Sequence, residues 1–187
     1  MTRIAIIGTH GVGKTTLSYI LAAQYKMTGS SVKIVQEVAR SCPYPLNEGM
    51  TLDSCLWIYH EHIKKEMDAI LKHQVVICDR SALDSFLYAQ AQGCVTEDDP
   101  LFKHSFEAAK AWMKTYTKII YVISSNEEIE ADGVRSTDVS FQRRVERKFD
   151  EWVLPRKSQL PIFFVTSKEI FEHSGPIQKI APDLKLS

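Results

Sequence analysis

GTHGVGKT, residues 8–15, satisfies G-x-x-x-x-G-K-[ST] at every fixed position. The apolar run RIAII at 3–7 leads into it, and a stretch with helical character at 16–25 leaves it. Strand, loop and helix in that order are the context the motif requires. Glycines at 8, 11 and 13 let the backbone wrap closely enough to turn successive N–H groups toward one point. The helix that follows adds the positive end of its dipole, so the loop is expected to hold a polyphosphate. Its contacts are expected from Gly8, His10, Gly11, Val12, Gly13, Lys14, Thr15 and Thr16. Lys14 is expected to reach the β- and γ-phosphates, and the Thr15 hydroxyl to sit on Mg²⁺. His10 occupies a variable position of the loop, where it could touch a phosphate or the acceptor, but it reads first as a solvent-facing loop histidine.

Outward from this loop, four more apolar runs follow at 32–36, 75–78, 118–123 and 161–165. They are nearly continuous in Ile, Val, Phe and Tyr, as strands are when a parallel sheet is covered on both faces. Segments of helical spacing separate them. Leu56, Tyr59, Ile63, Met67 and Ile70 recur at steps of three and four, as do Phe102, Phe106, Ala109, Met113 and Tyr116. Phe141, Val145, Phe149 and Trp152 form a third such stripe. Strand and helix therefore alternate along the chain, which predicts an α/β fold with right-handed crossovers. No repeat or linker divides the 187 residues, so they read as one domain, with residues 41–51 (SCPYPLNEGMT) as a loop between elements.

Two carboxylates fall where such a fold places ligands, at the carboxyl ends of strands. VVICDRS puts Asp79 at the end of the third run, as a second anchor for Mg²⁺ or, alternatively, as a helix cap. Arg80, next to it, is a candidate for phosphate or acceptor. VKIVQEVAR puts Glu37 at the end of the second run, where it could take a proton from an acceptor hydroxyl. The competing reading pairs Glu37 with Arg40 on the surface; Arg40 is itself a candidate acceptor contact. After the fourth run, Asp132-Gly133 marks a turn and Asp138 can cap a helix carrying Arg143, Arg144 and Arg147. With Arg135 in the preceding loop, these form an arginine-bearing lid at about 126–148, able to stabilise charge on a transferring phosphoryl group. A solvated helix whose arginines pair with Glu146, Asp150 and Glu151 accounts for some of them. His60 and His62 bracket Glu61 two residues apart, so they share no helix face and form no zinc motif. Trp57 is read as core before substrate stacking. Asn47 and Glu48 are candidate acceptor contacts in the proline-bearing loop.

Together GTHGVGKTT, QEVARSCP, CDRSALDSFLYA and ADGVRSTDVSFQRRVERKF resemble the small P-loop kinases, among them AAA-type ATP-binding proteins related to the ribosylnicotinamide kinase domain. CDRS is also similar to the (D/E)RS segment of deoxynucleoside and thymidylate kinases. The resemblance covers roughly residues 1–165. It implies a three-layer P-loop NTPase fold whose five-stranded parallel sheet has the order 2-3-1-4-5. It also implies a base at Glu37, a metal- and acceptor-binding segment at Asp79-Arg80-Ser81 and a lid from Arg135 to Arg147. Val38-Ala39 stands where deoxynucleoside kinases have a proline-containing turn, which points away from a deoxynucleoside as the acceptor.

Composition bounds the remaining readings. The 23 Lys+Arg balance 23 Asp+Glu, which argues against a wholly basic nucleic-acid binder. No apolar run approaches the roughly 18 residues of a membrane span, and residues 1–7 do not look like a secretory signal. Cys42, Cys55, Cys78 and Cys94 show no CxxC spacing and read as reduced thiols of a cytoplasmic protein. The expectation is an ATP- and Mg²⁺-dependent kinase for a small nucleoside-like or nucleotide acceptor. A regulatory P-loop ATPase working with a protein partner and a kinase acting on nucleic acid are the alternatives, the latter through the basic window 135–157. A homodimer stays open.

Overall fold

The computed structural model describes residues 1–125, 138–171 and 180. Five parallel strands, β1 (Thr2–Ile7), β2 (Val32–Val35), β3 (Val75–Asp79), β4 (Lys118–Ile123) and β5 (Ile162–Thr166), form one sheet in the order β2-β3-β1-β4-β5. Each apolar run of the sequence is a strand, to within a residue or two at its ends. Alternate side chains serve opposite faces. In β1, Ala5 and Ile7 face one core while Ile4 and Ile6 face the other. Both faces are covered, which is why the strands are apolar at nearly every position.

Four helices, α2 (Leu52–Ile70), α3 (Asp84–Gln92), α4 (Pro100–Met113) and α5 (Val139–Val153), cover the first face. The second carries α1 (Lys14–Met27), with Ile170 of the short α6 (Ser167–Phe171) and Ile180. The three layers and the strand order are those of the P-loop NTPase fold. The stripe expected on α5 is buried at all four positions: Phe141, Val145, Phe149 and Trp152.

On α2 the buried face lies elsewhere. Cys55, Ile58, Tyr59, His62, Glu66 and Ala69 point inward, while Met67 is 54% exposed and Leu56, Ile63 and Ile70 are only half-buried. The reason is a polar network beneath the helix. Glu66, fully buried, accepts hydrogen bonds from Arg3 Nη2 at 2.7 Å, Trp112 Nε1 at 3.1 Å and the Tyr116 hydroxyl. His62 Nε2 lies 2.8 Å from Glu66 Oε1, out of line for a hydrogen bond. Burial would raise the Glu66 carboxyl, but the adjacent His62, with Tyr116 and Arg3, holds it down at about 2. Ligand atoms of His62, Glu66 and Cys78 all lie within 4.8 Å of one another, yet the carboxylate is already claimed by Arg3. No helix among the described residues is long and apolar enough to cross a membrane.

Candidate active site

The carboxyl ends of β1, β2 and β3 open on the same side of the sheet, and each hands on a candidate residue. β1 runs directly into the glycine-rich loop. Gly8 has φ +136°, and a Cβ there would stand 2.5 Å from the Val122 carbonyl oxygen of β4, so only glycine lets the loop leave the sheet this closely. Gly13, at φ 85°, turns the chain into α1. Neither a side-chain cap nor an acidic residue occupies the first turn of α1, so its N–H groups remain available to an anion. A hollow of about 210 Å³ lies against this turn, lined by His10 through Thr15 together with Glu37, Asp79 and Arg80.

Lys14 is 5% exposed and donates to the Thr9 carbonyl, bent back on its own loop. Burial and then the neighbouring Arg80 lower its ammonium, against the opposing pull of Asp79 and Glu37, to about 7. Thr15 Oγ1 donates to Asp79 Oδ2 at 2.6 Å, so the two residues expected at a metal stand together across the β1–β3 pair. Their donors are oxygens alone, a set suited to a hard cation such as Mg²⁺. Asp79 does not cap α3; Ser81 and Asp84 tie that turn together, Asp84 Oδ1 accepting from Ser81 N at 2.9 Å and Oγ at 2.6 Å. Val12 is buried and Thr16 exposed.

β3 lies between β1 and β2, and Arg80 closes the gap. Its φ is +98°, a strained conformation for a residue with a side chain. The Arg80 N–H donates to the Ile6 carbonyl at 3.0 Å, its Nε donates to Glu37 Oε1 at 2.5 Å, and its guanidinium sits 5.0 Å from the centre of the Tyr88 ring. Glu37 also accepts from Arg40 Nε at 3.2 Å, so both readings of Glu37 meet: it points into the crevice and pairs with Arg40 at the rim. Burial pushes the Glu37 carboxyl up, but Arg80 and Lys14 overcome this and hold it at about 2.

Beside the phosphate hollow opens a second cavity of about 630 Å³. Its walls combine apolar Val38, Leu46, Met50 and Ile58 with polar Asn47, His62, Ser81, Asp84, Ser85 and Tyr88. His10, Glu37 and Arg80 line both spaces. Asn47 thus reaches the cavity, on a left-handed turn at φ 53°, while Glu48 holds Gln92 through its carbonyl. Trp57 is half-buried against the core and is not part of this wall.

His10 overturns its expectation of facing solvent. It is 2% exposed, its Nδ1 lies 3.3 Å from the Tyr88 hydroxyl, and its ring stacks on Phe141 at 5.9 Å. Among the lid arginines, Arg135 and most of the 126–148 segment lie outside the described residues. Arg144 packs on the Phe141 ring and donates to the Ala91 carbonyl at 3.3 Å, Arg147 faces Glu151 at 4.0 Å, and Arg143 is exposed. Asp138 caps α5, accepting from Ser140 N at 2.7 Å. Sequence reading missed His62, Asp84, Tyr88 and Gln142. For Gln142 a signal was present: it falls three residues before Val145 and seven before Phe149, a polar residue on the apolar stripe.

No curated protein matches this sequence significantly. Among solved structures, deoxyadenosine kinase from M. mycoides with bound dATP superposes with a TM-score of 0.63 at 18% identity, over 89% of this chain and 92% of that one. The same kinase with bound dCTP gives 0.60 at 17% over 89% and 91%. With dCMP and a flexible dCDP it gives 0.60 at 16% over 91% and 96%. These likenesses are of fold. The family signature of the AAA domain matches residues 3–162, from the strand before the phosphate loop to the first residue of β5. With that match, which spans the glycine-rich loop, this chain belongs to the AAA domain family of P-loop proteins.

Proposed function

We propose that this protein transfers the γ-phosphoryl group of ATP to a hydroxyl of a small nucleoside-like or nucleotide acceptor bound in the larger cavity. The observation that carries this reading is the shared wall: His10, Glu37 and Arg80 border both the phosphate hollow and the cavity. A phosphoryl group leaving the loop would meet an acceptor at that boundary. That the kinase of similar fold binds dATP and dCTP supports nucleotide binding here.

In this reading Lys14 leaves the Thr9 carbonyl to contact the β- and γ-phosphates. Thr15 and Asp79 would hold Mg²⁺, which when bound neutralises charge on the phosphate oxygens. Arg80 turns toward the phosphoryl group, and the same movement frees Glu37. Held at about 2 by Arg80, Glu37 is a poor base; relieved of that charge, it can orient the acceptor hydroxyl and take its proton. A loose phosphoryl-transfer transition state asks little more of it than orientation. Arg143 and Arg147, both exposed, are the described lid arginines free of the packing that engages Arg144; with Arg135 they would screen the transferring charge.

The test is ADP formation from ATP and Mg²⁺ with a panel of nucleosides, nucleoside monophosphates, nicotinamide riboside and hydroxyl-bearing oligonucleotides, with Lys14→Ala as the blank. One small acceptor should stimulate turnover strongly. Glu37→Gln should keep ATP binding and lose at least about 100-fold in transfer. Slow turnover that no acceptor changes would instead support the regulatory ATPase, and stimulation by oligonucleotides alone the nucleic-acid kinase.

A further inference from the structure

A loop that offers its N–H groups to an anion must send its carbonyls elsewhere, and a buried carbonyl needs a donor. In this chain the donor for His10 comes from α5. Gln142 Nε2 donates to the His10 carbonyl at 2.9 Å, across 132 residues of sequence. In return Thr9 Oγ1 donates to the Gln142 carbonyl at 3.2 Å. Gln142 is 7% exposed and Thr9 fully buried, and the neighbouring Phe141 stacks on the His10 ring. Side chain and main chain of one helical residue thus grip both loop residues that follow Gly8.

We propose that Gln142 is a positioning residue for nucleotide binding: it commits the His10 carbonyl to α5, so that the loop presents N–H groups and not carbonyl oxygens to the phosphates. The inference rests on the nucleotide reading of the loop and goes beyond it, because the motif contains nothing of α5. The other loop carbonyl in question, that of Thr9, is held by Lys14. When Lys14 turns to the phosphates this bond is lost, and the Gln142 clamp remains to keep the segment in place. The clamp also makes α5, which bears Arg143, Arg144 and Arg147, continuous with the loop, so the arginine helix and the phosphates are held in one frame.

Gln142→Met keeps length and volume while deleting the donor, and Thr9→Val deletes the reciprocal hydroxyl. ATP affinity by titration calorimetry and the melting temperature of the empty protein are read for both, for the double variant and for Ser140→Ala, whose hydroxyl contacts Arg144 and not the loop. Gln142→Met should weaken ATP about tenfold, as expected for a buried carbonyl left without its donor. The loss with the double variant should be less than the product of the single losses, KM for the acceptor should not change, and Ser140→Ala should bind as wild type. A lowered melting temperature with unchanged ATP affinity in both single variants would overturn the proposal and leave Gln142 as packing for α5. Wild type that binds ATP no better than Lys14→Ala would overturn the nucleotide reading and the clamp with it.

Discussion

Lys14 is a buried ammonium beside an arginine, and this has a measurable consequence at the scale of one residue. With its ammonium at about 7, it is largely neutral at pH 8 and largely charged at pH 6 in the empty site. Phosphate oxygens favour the charged form, so binding at pH 8 must draw a proton from solution and binding at pH 6 need not. Calorimetry of ATP binding in buffers of low and high ionisation enthalpy should therefore show proton uptake approaching one at pH 8 and near zero at pH 6. Equal uptake at both would mean that Lys14 is not the group meeting the phosphates. His10 shows where single residues escape a sequence reading. Its partners Tyr88 and Gln142 lie 78 and 132 residues away, so nothing around position 10 signals that it is buried.

At the scale of elements, legibility followed chemistry. The buried face of α5 is almost wholly apolar, and its spacing alone located it. That of α2 includes His62 and Glu66, whose polarity is balanced by Arg3, Trp112 and Tyr116, residues distant in sequence. A count of apolar positions then selects Met67 and misplaces the face by about one residue. The start of α5 was read from its cap Asp138; that of α4 was not read, though a side chain makes it too. Asp99 accepts from Leu101 N at 2.8 Å and Phe102 N at 3.1 Å, with Pro100 in the first turn of α4. Asp99→Ala should lower stability to urea by about 1 kcal/mol with an unchanged slope. No change in midpoint would mean that Pro100 and the packing of Phe102 suffice to start the helix.

At the scale of the molecule, Glu37 and Glu66 link stability to pH. Both carboxyls are held at about 2 in the folded chain, against an ordinary value of 4.5. On acidification the unfolded chain takes up these protons first, so stability present above pH 4.5 is lost as the pH falls toward 2. The melting temperature should drop across that window, and Glu66→Gln, less stable at pH 7, should show a shallower drop. A parallel acid limb in that variant would place the dependence elsewhere. The five strands and the α/β class were readable from apolar runs. The order β2-β3-β1-β4-β5 was not, since strand neighbours carry no periodic mark, and it entered only through resemblance to P-loop kinases.

The division between the two hollows also bears on how this scaffold can change over evolutionary time. Leu46, Met50 and Ile58 line the larger cavity and contribute nothing to the smaller one. Drift at these three positions can remodel what the larger space accepts while the glycine-rich turn stays as it is. His10, Glu37 and Arg80 have no such freedom, because a change at any of them alters two molecular surfaces at once. Divergence confined to that apolar wall would change the shape of the larger space and leave the lining of the smaller one as it is.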